Sequence, residues 1–217
     1  MERDEFLKRV SAAAMVGTLP RPPEVPESLP DLDPVDLVGL FRARAQEVAT
    51  VVHGPVGRHG VPRAVSGIAA GHACQTYMAW DELPTPGVTS ALTGAGLDRV
   101  EHRVPEGGRI PHQTGYRTLD LGVTGADAGL AESGSLVLLH GEGRPRMASL
   151  IPEVHVAILD VDSIERTLVH WARRHPASVF ESANMVIVTG PSRTADIEQQ
   201  LKLGVHGPRH LHVVLFR

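Results

Sequence analysis

Three glycine-containing stretches carry the side chains best suited to chemistry. Residues 124–135 read TGADAGLAESGS and place two carboxylates, Asp127 and Glu132, five residues apart with the Ser133 hydroxyl beside the second. A carboxylate held on a sharply turning backbone can act as general acid, general base or nucleophile, and glycine lets a substrate approach. The same composition also describes a plain turn, with Asp127 bonding to local amides and Glu132 in solvent. Residues 190–198 read GPSRTADIE, where the Ser192 and Thr194 hydroxyls and the Arg193 guanidinium could cradle a carboxylate or phosphate. If a helix opens there, its free amides add to the cradle; the bland alternative is a capped helix with a solvated arginine. Residues 204–209 read GVHGPR and offer one titratable imidazole, His206, for proton transfer and one fixed cation, Arg209, for substrate binding. Arg144 and Arg146, in the loop 141–146, would extend an anion site if the fold brought them to Arg193.

The elements that must position these groups follow from periodicity. Residues 121–124, 135–140, 154–160, 184–189 and 211–216 are short runs rich in Val, Leu and Ile, and read as strands buried on both faces. A helix starting at Asp162 or Ser163, with Glu165 closing a capping box, is expected between the third and fourth runs. Another, over 194–203 with Gly204 as its stop, is expected between the fourth and fifth. Strand and helix alternating at these lengths imply a mostly parallel sheet joined by right-handed crossovers. Upstream, residues 2–14 form an amphipathic helix through Phe6, Leu7, Val10 and Ala14. Prolines at 20, 22, 23, 26, 30 and 34 make an extended tether, so residues 1–32 form an arm and 33–217 the main domain. Asp33 as N-cap and Pro34 at the first helical position predict a helix to about residue 50. The stretch 53–118 is too punctuated by glycine and proline to assign.

Composition narrows the function classes. The 217 residues suggest about one domain with appendages, at roughly 150 per domain. With 21 basic and 25 acidic side chains the net charge is −4, which gives no footprint for nucleic acid or an anionic membrane. No run of apolar residues is long enough to span a bilayer and no signal peptide opens the chain, so a cytoplasmic protein is expected. Lysine occurs only at 8 and 202, leaving Schiff-base chemistry almost no candidate. The single cysteine, Cys74, reads as a buried structural thiol and excludes an iron–sulfur cluster held by this chain's own thiolates. His210 and His212 share one strand face, but no third ligand stands near them in sequence, so no metal site is assigned.

Taken together, TGADAGLAESGSL (124–136), RMASLIP (146–152), GPSRTADIE (190–198) and GVHGPR (204–209) resemble the lactate-utilisation protein C family, built on the LUD domain. The likeness covers residues 120–217 most strongly; serine stands at 133 and 135 where the family commonly has threonine. It implies a three-layer α/β/α sandwich like that of the glucosamine-phosphate isomerase, ribose-phosphate isomerase and CoA-transferase group. It also implies a part in oxidising L-lactate to pyruvate beside separate iron–sulfur proteins, which would hold the clusters. In CoA-transferase relatives a glutamate in a similar turn is the nucleophile, and that role would fall to Glu132. The resulting expectation is a site in which Glu132 and His206 do chemistry while Asp127, Ser133, Arg146, Ser192, Arg193, Thr194 and Arg209 hold a small carboxylate or phosphate. A free-standing enzyme acting on an acyl-CoA or sugar phosphate is the alternative, as is a non-catalytic interaction module. A homo-oligomer is compatible with all three.

Overall fold

A computed structural model describes residues 3–14, 36–103, 119–195, 201–203 and 207–217. The chain divides into two compact units, Met1–Pro34 and Val35–Arg217. In the first, the helix read from periodicity is α1 (Arg3–Ala14); the proline segment lies outside the described residues.

In the second unit, helix α2 (Leu37–Glu47) is capped by Asp36 and not by Asp33, which with Pro34 lies outside the described residues. The Asp36 carboxylate accepts from the Gly39 amide at 3.0 Å, satisfying one of the helix's orphan donors, while its carbonyl accepts the first intrahelical bond from Leu40. The stretch that sequence left unassigned forms β1 (Val51–Val56), α3 (Val61–Gly71), β2 (Thr76–Ala79), α4 (Val88–Gly94) and β3 (Asp98–Arg99). Then come β4 (Leu121–Gly125), β5 (Ala128–Leu130), β6 (Ser135–His140), α5 (Met147–Leu150) and β7 (Val154–Asp160). The chain finishes with β8 (Ile164–Glu165), α6 (Leu168–Arg174), α7 (Ser178–Glu181), β9 (Asn184–Val188), β10 (Arg193–Ala195), β11 (Leu201–Leu203) and β12 (His210–Phe216).

Six strands form the central sheet in the order β1-β12-β7-β4-β2-β3, and every neighbouring pair is parallel. Its strands alternate strictly between two cores. From β7, Val154, Val156 and Ile158 pack with Val61, Val65 and Ala69 of α3 and Val88 and Leu92 of α4. Ala157 and Leu159 face the other way, toward Phe41 and Ala45 of α2 and Leu136 and Leu138 of β6. That second face is therefore covered by α2 together with a smaller four-stranded sheet, β8-β5-β6-β9. The architecture is a mixed α/β fold around a mostly parallel sheet, as expected, but one flanking layer is partly sheet.

Three local expectations are corrected. Strands β6 and β9 pair antiparallel with each other in the small sheet and not in the parallel one, and β9 is only half-buried. No capping box forms at Asp162, because Asp160 caps a short 3-10 turn and Ile164 and Glu165 then pair with β5; helix α6 starts later, with Thr167 as its cap. Where a helix over 194–203 was expected, Arg193–Ala195 pairs antiparallel with Leu201–Leu203, residues 196–200 lying outside the described part. Helix propensity is a weak prior that cross-strand pairing overrides.

Candidate functional site

The first element of the predicted site ends at the carboxyl edge of β4. There Asp127 accepts the Leu139 amide at 2.7 Å and the Arg144 guanidinium at 2.9 Å. Arg144 also lies over the Trp80 ring, 5.0 Å from its centroid, which fixes the 141–146 loop to the end of β2. Beside it Asp81 is held by His102 at 3.0 Å and by Arg103 at 2.7 Å, and its amide donates to the Gly143 carbonyl. The His102 hydrogen bond comes first among the influences that hold the Asp81 carboxyl below the usual range. These contacts give Asp127 the role of a turn anchor. Replacing it with alanine strands an amide and a guanidinium, and is expected to cost about 2 kcal/mol in denaturant unfolding.

Arg193 and Arg209 lie elsewhere, at the amino edge of the same sheet. Segments 190–193 and 207–209 run side by side: the Ser192 amide donates to the Pro208 carbonyl at 2.8 Å, and Gly207 packs against the Ser192 side chain, where an added Cβ would sit 3.2 Å from the Ser192 Cβ. Two of the stretches singled out in the sequence therefore do converge. They border a cavity of about 610 Å³ whose polar lining is Arg193, Arg209, His72, His210 and His212. Glu153 is the nearby countercharge, 3.5 Å from Arg209. Ligands of open α/β sheets usually bind at the carboxyl ends of the strands, so this cavity stands at the unusual end. The parallel register puts His210 opposite Val154, at the start of both strands.

The histidines of this cavity form a chain. His53 Nε2 lies 3.0 Å from His212 Nδ1, and His212 Nε2 lies 2.9 Å from His72 Nε2. The His72 and His210 ring centroids are 4.6 Å apart. Burial, with the neighbouring His53, His72 and His210 second, pushes the His212 imidazole down to about 4. Burial also lowers His53, helped by Arg42, and lowers His72, helped by His210 and opposed by Glu153. No local motif points to His53 or His72. One comes from β1 and the other from the turn after α3, and only the β1–β12 register and the return of α3 along the sheet bring them to His212. Among the described residues no group of three or more His, Cys, Asp or Glu side chains is disposed to hold a metal ion.

The other predicted residues are spread out. Glu132 sits in the β5–β6 turn, about half exposed, with Arg166 Nε 2.8 Å from its carboxylate, and does not line the cavity. Ser133 shares a hydroxyl chain with Ser135 and Thr189 at 2.8 Å per link. Arg146 is exposed at the start of α5, and its carbonyl accepts from Ser149. Thr194 stands opposite Lys202 in the β10–β11 pair. His206 lies outside the described residues. Arg144, engaged at the carboxyl edge, does not extend the Arg193 site. Cys74 is half-buried, and burial with Asp120 nearby pushes its thiol up to about 11, against a nucleophilic thiolate.

Comparison with known proteins places this arrangement. The family model for the LUD domain matches residues 102–216. A "Lactate utilization protein C" from Halalkalibacterium halodurans is 30% identical over 171 residues, spanning 75% of this chain and 73% of that protein. One of the same name from Macrococcus caseolyticus is 38% identical over 93 residues, 41% of this chain and 40% of the relative. A crystal structure of a DUF162 family protein from Deinococcus radiodurans superposes with a TM-score of 0.64 at 24% identity, covering 83% of this chain and 96% of the other, and so shares the fold. With its motifs, its sheet and a family match over more than half its length all in agreement, the chain belongs to the LUD domain family.

Proposed function

We propose that this chain is the cluster-free component of an L-lactate oxidation system, working in the cytoplasm with separate iron–sulfur proteins, and that it holds a small carboxylate in the cavity at the amino edge of the sheet. The observation that carries the reading is the 30% identity to a lactate utilization protein C across three quarters of the chain. Two further features support it. Arg193 and Arg209 border one cavity, and two guanidiniums suit the planar carboxylate of a 2-hydroxy or 2-oxo acid. Oxidation of lactate to pyruvate also releases two electrons, and a chain with one cysteine needs another protein to carry them through a cluster.

The test is genetic and biochemical together. A deletion strain without paralogues is expected to lose growth on L-lactate, to regain it with the wild-type gene, and to stay defective with the Arg193→Ala, Arg209→Ala double variant. The tagged chain is expected to co-purify iron and lactate-dependent dye reduction from its own host. Normal growth of the deletion strain would overturn the reading. The alternative, an enzyme acting alone on an acyl-CoA or sugar phosphate through Glu132, requires turnover by the purified chain that Glu132→Gln abolishes. Because Glu132 is half exposed, that variant is expected to shift Tm by less than about 2 °C, as an exposed pair contributes little.

A further inference from the structure

The imidazole chain His53–His212–His72 has no part in the reading above, yet it opens into the same cavity. Each neutral imidazole carries one N–H, so a chain joined through both nitrogens of His212 has a direction. When His53 Nε2 donates to His212 Nδ1, His212 Nε2 donates to His72 Nε2, and His72 keeps its proton on Nδ1. The reverse order places the N–H of His212 on Nδ1. His212 is 8% exposed and sits in the middle, where a charge is least tolerated, whereas His72, on the same cavity, is only part-buried.

We propose that the cavity takes up a small carboxylate or phosphate anion together with one proton, and that the added charge resides on His72. This deepens the proposed function and rests on the reading of the cavity as an anion site. The proton count closes without any other reactant. A proton from water joins His53 Nδ1, the His53 Nε2 proton passes to His212 Nδ1, and the His212 Nε2 proton passes to His72 Nε2. Three N–H groups become four, His212 and His53 return to neutral in the opposite tautomer, and His72 becomes an imidazolium facing the anion.

The surrounding charges favour this only with an anion present. His72 shares the cavity lining with Arg193 and Arg209, and His210 lies close by; Arg42 stands behind His53, and Glu153 is the opposing carboxylate. Burial first and His210 second oppose a charge on His72, and Glu153 only partly offsets them. An anion seated in the cavity adds a negative charge beside His72, which favours its protonated form. Because the empty state binds fewer protons than the occupied one, affinity must fall as pH rises above 6.5, by up to about tenfold per unit for one linked proton.

Calorimetric titration of the full chain with L-lactate and with inorganic phosphate, each in two buffers of different ionisation enthalpy between pH 6.5 and 8, counts the protons. Uptake near one proton per anion, lost in His72→Gln while weaker binding persists, is the expected result. Histidine ¹⁵N spectra at saturation are expected to show both His72 nitrogens protonated. Binding of either anion with no proton uptake and a pH-independent affinity would overturn the proposal and leave the anion site standing. Binding of phosphate alone, with a proton uptake that His72→Gln abolishes, would support the proposal and remove lactate as the ligand, whereas an uptake unchanged in His72→Gln belongs to the phosphate, which itself titrates in this pH range, and would overturn it. No binding of either would overturn the anion site itself, and this proposal with it.

Discussion

Gly122→Ala is expected to destabilise the folded chain by at least about 3 kcal/mol, a drop of about 6–12 °C in Tm for a domain of this size. Gly122 lies in the middle of β4, and a methyl group built there would stand 1.7 Å from the Ala148 carbonyl oxygen and 2.7 Å from the Pro152 ring. Both obstacles are backbone or ring atoms of the segment that crosses this sheet face from the 141–146 loop to the start of β7. Neither can rotate away. Strand β4 is fixed between β2 and β7, so the strain has to displace α5. Gly67 is the control: it is exposed on α3 with nothing within 4 Å of an added methyl. Gly67→Ala is expected to stabilise by about 0.5–1 kcal/mol, since alanine is the better helix former. Denaturant melts of the two variants beside wild type separate the effects, and a Gly122→Ala protein as stable as wild type would mean α5 is not seated on β4.

The same face shows why some of the fold was legible and some was not. Strands β4, β7 and β12 are buried on both sides, so they appear in the sequence as short unbroken apolar runs, and their boundaries were read to within one residue. Helices α3 and α4 are just as well packed, but Gly and Pro interrupt their stretch and α4 is only seven residues long. The hairpin at Arg193–Leu203 failed for a different reason. Its residues are ordinary helix formers, and what selects the strand is a pairing between positions six to ten residues apart, which periodicity does not encode. The site divides along the same line. The convergence of 190–193 with 207–209 was foreshadowed by motif, while the partners of His212 arrive from β1 and the end of α3 by long-range register. Asp127 and Arg144, grouped in sequence with the anion site, belong to the opposite edge because β4 and β6 both end there.

Acidification from pH 7.5 to pH 5 is expected to remove about 3 kcal/mol of stability before the carboxylates begin to titrate. His155 lies between the central sheet and the small sheet, fully buried, with its Nε2 2.9 Å from the Thr124 hydroxyl. Burial first, and the nearby His140 second, push its imidazole down to about 3, while in the unfolded chain it titrates near 6.5. The sign follows directly: above pH 6.5 both states are neutral and nothing is lost. As pH falls from 6.5 toward 3 the unfolded chain binds a proton that the native chain refuses, at about 1.4 kcal/mol per unit. At pH 5 that is about 2 kcal/mol from His155. His212, held down to about 4 and more open to water than His155, adds about 1 more. His155→Gln keeps a polar partner for Thr124 without a titrating ring, so it is expected to flatten the pH dependence even if it lowers stability at pH 7.5. Urea melts of both proteins at the two pH values give the slope. A wild-type chain equally stable at pH 7.5 and 5 would mean that water reaches His155 in the native state, and the tight contact between the two sheets would have to be abandoned. An acid loss cut to about 1 kcal/mol in His155→Gln, the share left to His212, would locate most of the fold's pH sensitivity in its interior, apart from the proton taken up with an anion at His72.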